Sequence, residues 1–181
     1  MADKKKFFGI VAIITFFLLL VIFQVPDRIV ERFGEARAYL ALFLIAAFGG
    51  VSVFTSASYF GTIIAFSSAG LNPWLLGLAG GAGVTIGDSL FFLFGNHSRV
   101  IVSKNIDKLM DHARSKLERF NKWSVPIFVY LYAGFSPLPN EFMTISVGLS
   151  GAKYRIVGPP LLLGNITVTI LTAFIIRYAG I

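Results

Sequence analysis

Apolar positions run through this chain in blocks too long for a water-facing fold. Phe7 to Val25 is 19 residues without a charge, directly after Lys4, Lys5 and Lys6. A basic start and an apolar run also suit a secretory signal, but this run exceeds a usual h-region and no small-x-small cleavage site follows it. It predicts a retained membrane helix that ends at Gln24-Val25-Pro26-Asp27-Arg28. Pro26 to Arg37 is a short linker with charges of both signs. Ala38 to Gly87 then runs 50 residues without one charge, whereas a single crossing needs about 20. Pro73 to Gly95 predicts one full helix. That leaves 38–72, where "SVFTSASYFGTIIAFSSAG" is rich in Ser, Thr and Gly. Such a segment is expected to be broken and re-entrant, which is tolerated at membrane depth only inside protein or beside a watery cavity.

Arg99 to Lys122 breaks the pattern. Seven of its residues are Lys or Arg, while Ile106, Leu109, Met110, Ala113, Leu117 and Phe120 recur at helical spacing. This predicts an amphipathic helix at the membrane surface. Basic loops stay cytoplasmic, so Lys4 to Lys6, Arg99 to Lys122, Lys153 and Arg155 belong on one side. The first helix then leads out, 73–95 leads in and 156–176 leads out. Segments 38–72 and 124–152 must each return to the face they left.

The expected architecture is an all-α integral membrane protein. An N-terminal transmembrane helix and linker (1–37) precede a membrane domain (38–181). That domain is an inverted repeat of a re-entrant hairpin plus a transmembrane helix. The sequence carries a faint echo of the repeat. "SSAGL" ends the first hairpin and "SVGL" the second; Gly87-Asp88 and Gly164-Asn165 follow at similar distances.

Composition supports the membrane class. Of 181 residues 56% are hydrophobic and 14% charged, with a mean hydropathy of +0.77; soluble domains carry about 25% charged residues. The net charge of +7 fits an anionic inner leaflet better than nucleic acid. The absence of cysteine excludes disulfides, thiolate metal sites and cysteine nucleophiles. Asp88, His97, His112 and Glu141 lack metal-ligand spacing, and "GAGVTIG" lacks the lysine of a phosphate loop. Gly148-Leu149-Ser150-Gly151 fits the G-x-S-G pattern of intramembrane serine proteases, but no histidine follows Ser150 to activate it. No enzymatic activity, cofactor or metal is therefore expected.

The polar candidates stand out against this background. "GFSPLPNEFMTISVGLSG", 134–151, sets Pro137, Pro139, Asn140 and Glu141 in apolar surroundings. Proline removes a donor and clashes with the preceding turn, so the two prolines predict a hairpin tip. Its arms are Trp123 to Gly134 and Phe142 to Gly151. Asn140 and Glu141 either cap the exposed helix ends or line a polar path, since an ionisable residue at membrane depth is costly and by default marks a site. Charged, Glu141 would meet an amine headgroup; neutral, it would carry a proton. Asp88 interrupts "TIGDSLFFLFG" about 10 Å from the inner helix end. Its structural alternative is a bond to Arg99 or to a hydroxyl. Ser56 and Thr62, in the first hairpin, complete the expected path. Gly77/Gly81 and Gly83/Gly87 are spaced for close helix packing.

The ending "AGLNPW", the helix "GLAGGAGVTIGDSLFFLFG", the basic amphipathic stretch and "FSPLPNEFMTISVGLSG" before a last helix together resemble the DedA, SNARE-associated or VTT-domain, membrane proteins. The likeness covers roughly 38 to 176. It implies two facing re-entrant hairpins and a lipid-handling role, as phospholipid scramblase or flippase of lipid-linked carriers, in some members linked to proton motive force. Two departures are visible. Family members commonly carry an acid in the first hairpin, where 52–68 offers only Ser, Thr and Tyr. Many carry an arginine after the proline of the second, where Asn140 and Glu141 follow Pro139. Membrane lipids are the expected partners, with a second copy of the chain as a further one. The expected location is the cell membrane, multi-pass, with a cytoplasmic N-terminus.

Overall fold

Asn72 and Pro73 start the longest helix for local reasons. The Asn72 side chain accepts from the Trp74 N–H at 2.9 Å, and Pro73 fills the first helical position, where a missing N–H costs nothing. The computed structural model describes residues 34–49, 53–119, 123–136 and 138–179, with the backbone alone at 49, 53–57 and 99–119. The expected first membrane helix, the N-terminal lysines and Pro137 lie outside the described residues.

Among the described residues the chain is all-helical, without a strand. The helices are α1 (Glu35–Gly49), α2 (Val53–Ser68), α3 (Pro73–Arg119), α4 (Ser124–Phe135), α5 (Asn140–Leu149) and α6 (Tyr154–Ala179). α1 starts three residues before the expected boundary at 38. Among the described residues two stretches are long and apolar enough to cross a membrane, Pro73–Ser98 within α3 and Tyr154–Ala179.

One expectation is corrected. The segments 73–95 and 99–122 were expected as separate helices, but α3 runs unbroken for 47 residues. The reason is local: after Gly95 no Gly or Pro occurs before Arg119, so nothing interrupts the ladder. The basic segment continues the span instead of forming a helix of its own.

α3 and α6 are the antiparallel centre. Trp74 stacks edge-on against Phe174 at 5.7 Å, Gly77 and Gly81 face Ile170 and Ile166, and Phe92 meets Tyr154 at 5.5 Å. A Cβ on Gly81 would stand 2.6 Å from the Ile166 Cα, so the backbones touch. The other helices pack on this pair. α1 meets α3 at Gly83, beneath the Phe43 carbonyl and Ala46. α5 meets α3 where Gly148 lies on the Phe92 carbonyl and Gly95 on the Ile145 backbone. α4 meets α6 at Gly164, against Ala133 and the Tyr130 carbonyl. α2 meets α6 through Ser67, whose hydroxyl donates to the Ala173 carbonyl at 2.8 Å. α2 also touches α3.

Both helix pairs close on a left-handed glycine, Gly70 (φ 82°) after α2 and Gly151 (φ 79°) after α5. In the first, Leu71 N–H reaches the Phe66 carbonyl and Gly70 N–H the Ser67 carbonyl, both at 3.1 Å, the Schellman pattern. The turn glycine of the second pair is thus Gly151, while Gly148, matched to Gly70 in the sequence echo, is a packing residue inside α5.

The apolar core has two parts. One gathers Leu42, Ala46, Tyr59, Ile63, Phe66, Leu76 and Ala173. The other gathers Phe92, Val129, Ala133, Met143, Val157 and Leu161. They lie towards opposite ends of the α3–α6 pair, and polar side chains fill the layer between. The outside is apolar instead: Phe94 is 64% exposed, Phe142 66% and Ile175 67%. Polar groups inside and large apolar groups outside is the arrangement a bilayer solvent favours.

Candidate functional site

Asp88 stands near the middle of its span. The centre of Pro73–Ser98 falls between Thr85 and Ile86, and that of Tyr154–Ala179 between Ile166 and Thr167. Asp88 and Asn165 are therefore each within a turn of the midpoint of their apolar stretch. Both are essentially sealed from solvent, at 2% and 1% exposure.

Three side chains form a closed triangle. The Asn165 amide donates to Asp88 Oδ2 at 2.9 Å and to Thr85 Oγ1 at 3.1 Å. The Asn140 amide donates to the same Asp88 Oδ2 at 3.1 Å and to Asn165 Oδ1 at 3.0 Å. Asn140 opens α5, so the break between α4 and α5 carries its first helical side chain onto the α3–α6 crossing. Neighbours hold the triangle in orientation. Thr85 donates to the Gly81 carbonyl at 2.7 Å, so its oxygen can only accept from Asn165. Thr169 donates to the Asn165 carbonyl at 2.6 Å. The Tyr59 hydroxyl in turn donates to Thr169 Oγ1. A hydrogen-bonded line thus runs from α2 through α6 and α3 to α5.

The Asp88 charge has no cation beside it among the described residues. Two amide donors on one oxygen partly offset its desolvation, each charge-assisted bond being worth about 1.5–3 kcal/mol. Every fully buried side-chain nitrogen and oxygen among the described residues has a hydrogen-bond partner. Oδ1 of Asp88 receives no donor among the described residues. The same holds for Oδ1 of Asn140, which is half-buried.

The expected site residues divide as follows. Asn140 and Asp88 meet directly. Asn140 spends its amide on Asp88 and Asn165 instead of capping α5, whose N-cap Pro139 supplies no side-chain bond. The Pro139 carbonyl accepts from the Tyr132 hydroxyl at 3.3 Å. The Glu141 side chain is half-buried and has no hydrogen-bond or ion-pair partner among the described residues. Thr62 is buried but donates to the Ser58 carbonyl of its own helix at 2.8 Å; no bond joins it to the triangle. The side chains of Ser56 and Arg99 lie outside the described residues.

Sequence reasoning missed Asn165, Thr85, Tyr59 and Thr169 as site residues. Two signals were present. Gly164-Asn165 echoes Gly87-Asp88, and Thr85 and Thr169 stand three and four residues from Asp88 and Asn165, hence on the same helix faces. Below the triangle, Leu90, Phe91 and Phe94 of α3 and Ile145 of α5 line an apolar groove. Compared with known proteins, the chain matches no family model, no curated protein and no solved structure.

Proposed function

We propose that this protein is a multi-pass transporter of the cell membrane that moves lipid between leaflets, without an enzymatic reaction. The carrying observation is the Asp88–Asn140–Asn165 triangle, set near the midpoints of two antiparallel spans and closed by a helix break. Buried ionisable groups at membrane depth are expensive and serve substrate paths. Sites at the midplane between broken helices are the habit of inverted-repeat transporters.

The repeat belongs to this proposal. Exchanging α1–α2–α3 with α4–α5–α6 turns the α1–α3 contact into α4–α6, and α2–α6 into α5–α3. The α2–α3 contact has no counterpart, so the exchange is imperfect. α1, α2, α4 and α5 have 15, 16, 12 and 10 residues. At 1.5 Å per residue they reach roughly 15–24 Å, short of the ~30 Å hydrocarbon thickness. This supports two re-entrant hairpins, as the DedA resemblance implies; the cytoplasmic N-terminus in this proposal rests on the basic residues alone.

A scaffold role is the second reading, favoured by the pairing of every fully buried polar side-chain atom among the described residues. Reconstitution separates the two. The purified chain in vesicles should expose inner-leaflet fluorescent lipid to a leaflet-selective quencher, and Asp88→Asn should slow this while the protein stays folded. A wild-type protein that leaves the inner-leaflet pool protected would leave only the scaffold.

A further inference from the structure

The amphipathic rings of this chain are not scattered. Both tryptophans and two of the six tyrosines are exposed: Trp74, Trp123, Tyr154 and Tyr178. The other four tyrosines are buried or half-buried, and their hydroxyls bond inside the protein. Tyr39 accepts from the Asn72 N–H, Tyr59 meets Thr169, Tyr130 meets Thr167, and Tyr132 donates to the Pro139 carbonyl. Exposed Leu, Ile and Phe, by contrast, occur on all six helices.

The four exposed rings sit at two levels. Trp74 packs edge-on against Phe174 at 5.7 Å, and Phe174 stacks on Tyr178 at 6.1 Å. One level therefore joins the start of α3 to the end of α6. Tyr154 packs on Phe92 at 5.5 Å and marks the other level, at the start of α6. α4 runs alongside α6, with Val129 in the core around Val157 and Leu161 and Ala133 against Gly164. Trp123 stands as far before Ala133 as Tyr154 stands before Gly164, so these two rings share a level. Exposed cations flank the rings, Arg177 at the first level and Lys153 and Arg155 at the second. From Leu75 to Phe91 and from Ile156 to Ala173 no charged side chain is exposed, the lone charge there, Asp88, being buried.

We infer that the two levels are belts that fit the boundaries of a lipid bilayer whose hydrocarbon core is about 30 Å thick. Trp74 and Tyr178 lie at one headgroup boundary, Trp123 and Tyr154 at the other. The spacing carries this: Trp74 to Phe92 is about 27 Å of α3 and Tyr154 to Phe174 about 30 Å of α6, at 1.5 Å per residue. An indole or a phenol has an apolar body and a polar tip, and is best placed where hydrocarbon gives way to headgroups. Lys and Arg beside it extend their charges into water. A water-facing surface gives no reason to confine such rings to two levels one hydrocarbon thickness apart. The inference rests on the membrane-spanning part of the proposed function, not on lipid movement. It also places the shorter helices: with Trp123 at a boundary, α4 enters from the membrane surface, and its 12 residues end about 18 Å further along, inside the core.

The two tryptophans make the test direct, because Trp74→Phe and Trp123→Phe each leave one indole in the full chain. Each variant is reconstituted in phosphatidylcholine vesicles whose acyl chains carry bromine, a contact quencher of indole fluorescence, either near the headgroup or near the chain end. Each remaining tryptophan should lose more emission to the shallow bromine than to the deep one. The wild type should show the same order, which keeps the test open should a variant not fold. Stronger quenching by the deep bromine, in either variant or in the wild type, would overturn the belts while the spanning helices stood. No quenching by either bromine would remove the belts and the spanning reading together. The spacing is read separately. In phosphatidylcholine vesicles of graded chain length the melting temperature should peak near a core of ~30 Å and fall in thinner and thicker bilayers. A flat series would overturn the match between the belts and that thickness.

Discussion

Asn165 is the residue on which the site turns, because it alone binds Asp88, Thr85 and Asn140 together. Asn165→Leu removes one of two donors to a buried carboxylate and the amide from which Thr85 Oγ1 accepts. The cost should be about 3 kcal/mol or more, since a buried charge losing a partner is heavily penalised, read as a lower melting temperature in detergent. Asn165→Asp places a second carboxylate against Asp88 Oδ2 and should destabilise further. Tyr59→Phe is milder. It deletes one neutral hydroxyl bond at the far end of the line and should cost about 1 kcal/mol. If lipid exchange also falls in this variant while its melting temperature barely moves, the line from α2 transmits more than support. Asp88 itself was conspicuous as a lone acid in an apolar run. Its bonds were not, because Asn140 and Asn165 lie 52 and 77 positions further along the chain.

At the scale of elements, glycine decides how closely the helices approach. Gly81→Ala would set a Cβ 2.6 Å from the Ile166 backbone, and Gly83→Ala one 2.4 Å from the Phe43 carbonyl. Backbone cannot step aside as a side chain does, so each should cost about 1–3 kcal/mol, the usual range for overpacking. Gly70→Ala is a control of different origin. No atom lies within 4 Å of its added Cβ, but its φ of 82° should still cost about 1–2 kcal/mol. Melting temperatures of the three variants in one detergent check the comparison; a Gly81→Ala protein as stable as wild type would mean that α3 and α6 are not in backbone contact.

For the whole molecule the decisive measurement is sidedness. The cysteine-free chain suits single-cysteine scanning with an impermeant thiol reagent. Met110→Cys should label only from the cytoplasmic face, together with positions in 153–155. Positions in 26–37 should label from outside. Labelling of position 110 from outside intact cells would overturn the orientation and the opposed hairpins with it.

Hydropathy and charge by themselves pointed to the helical content, to the two apolar stretches long enough to cross a membrane and to the break ahead of Asn140. Fifty uncharged residues, a proline pair and clustered arginines have few other physical solutions, and each of these signals is local. Gly77/Gly81 and Gly83 were legible as packing positions for the same reason, being small residues at one-turn spacing. The unbroken length of α3 was legible in principle, since no Gly or Pro follows Gly95, but the change from apolar to basic composition drew the eye to a boundary the backbone does not have. Only the tertiary structure decided what the polar residues do. An asparagine at a helix break reads as a cap from local spacing; that it reaches Asp88 depends on α5 packing against α3. The meeting of Asp88 and Asn165 depends on antiparallel helices in glycine contact. Such contacts join residues far apart in the chain, and nothing in the local pattern records which helix face will meet which.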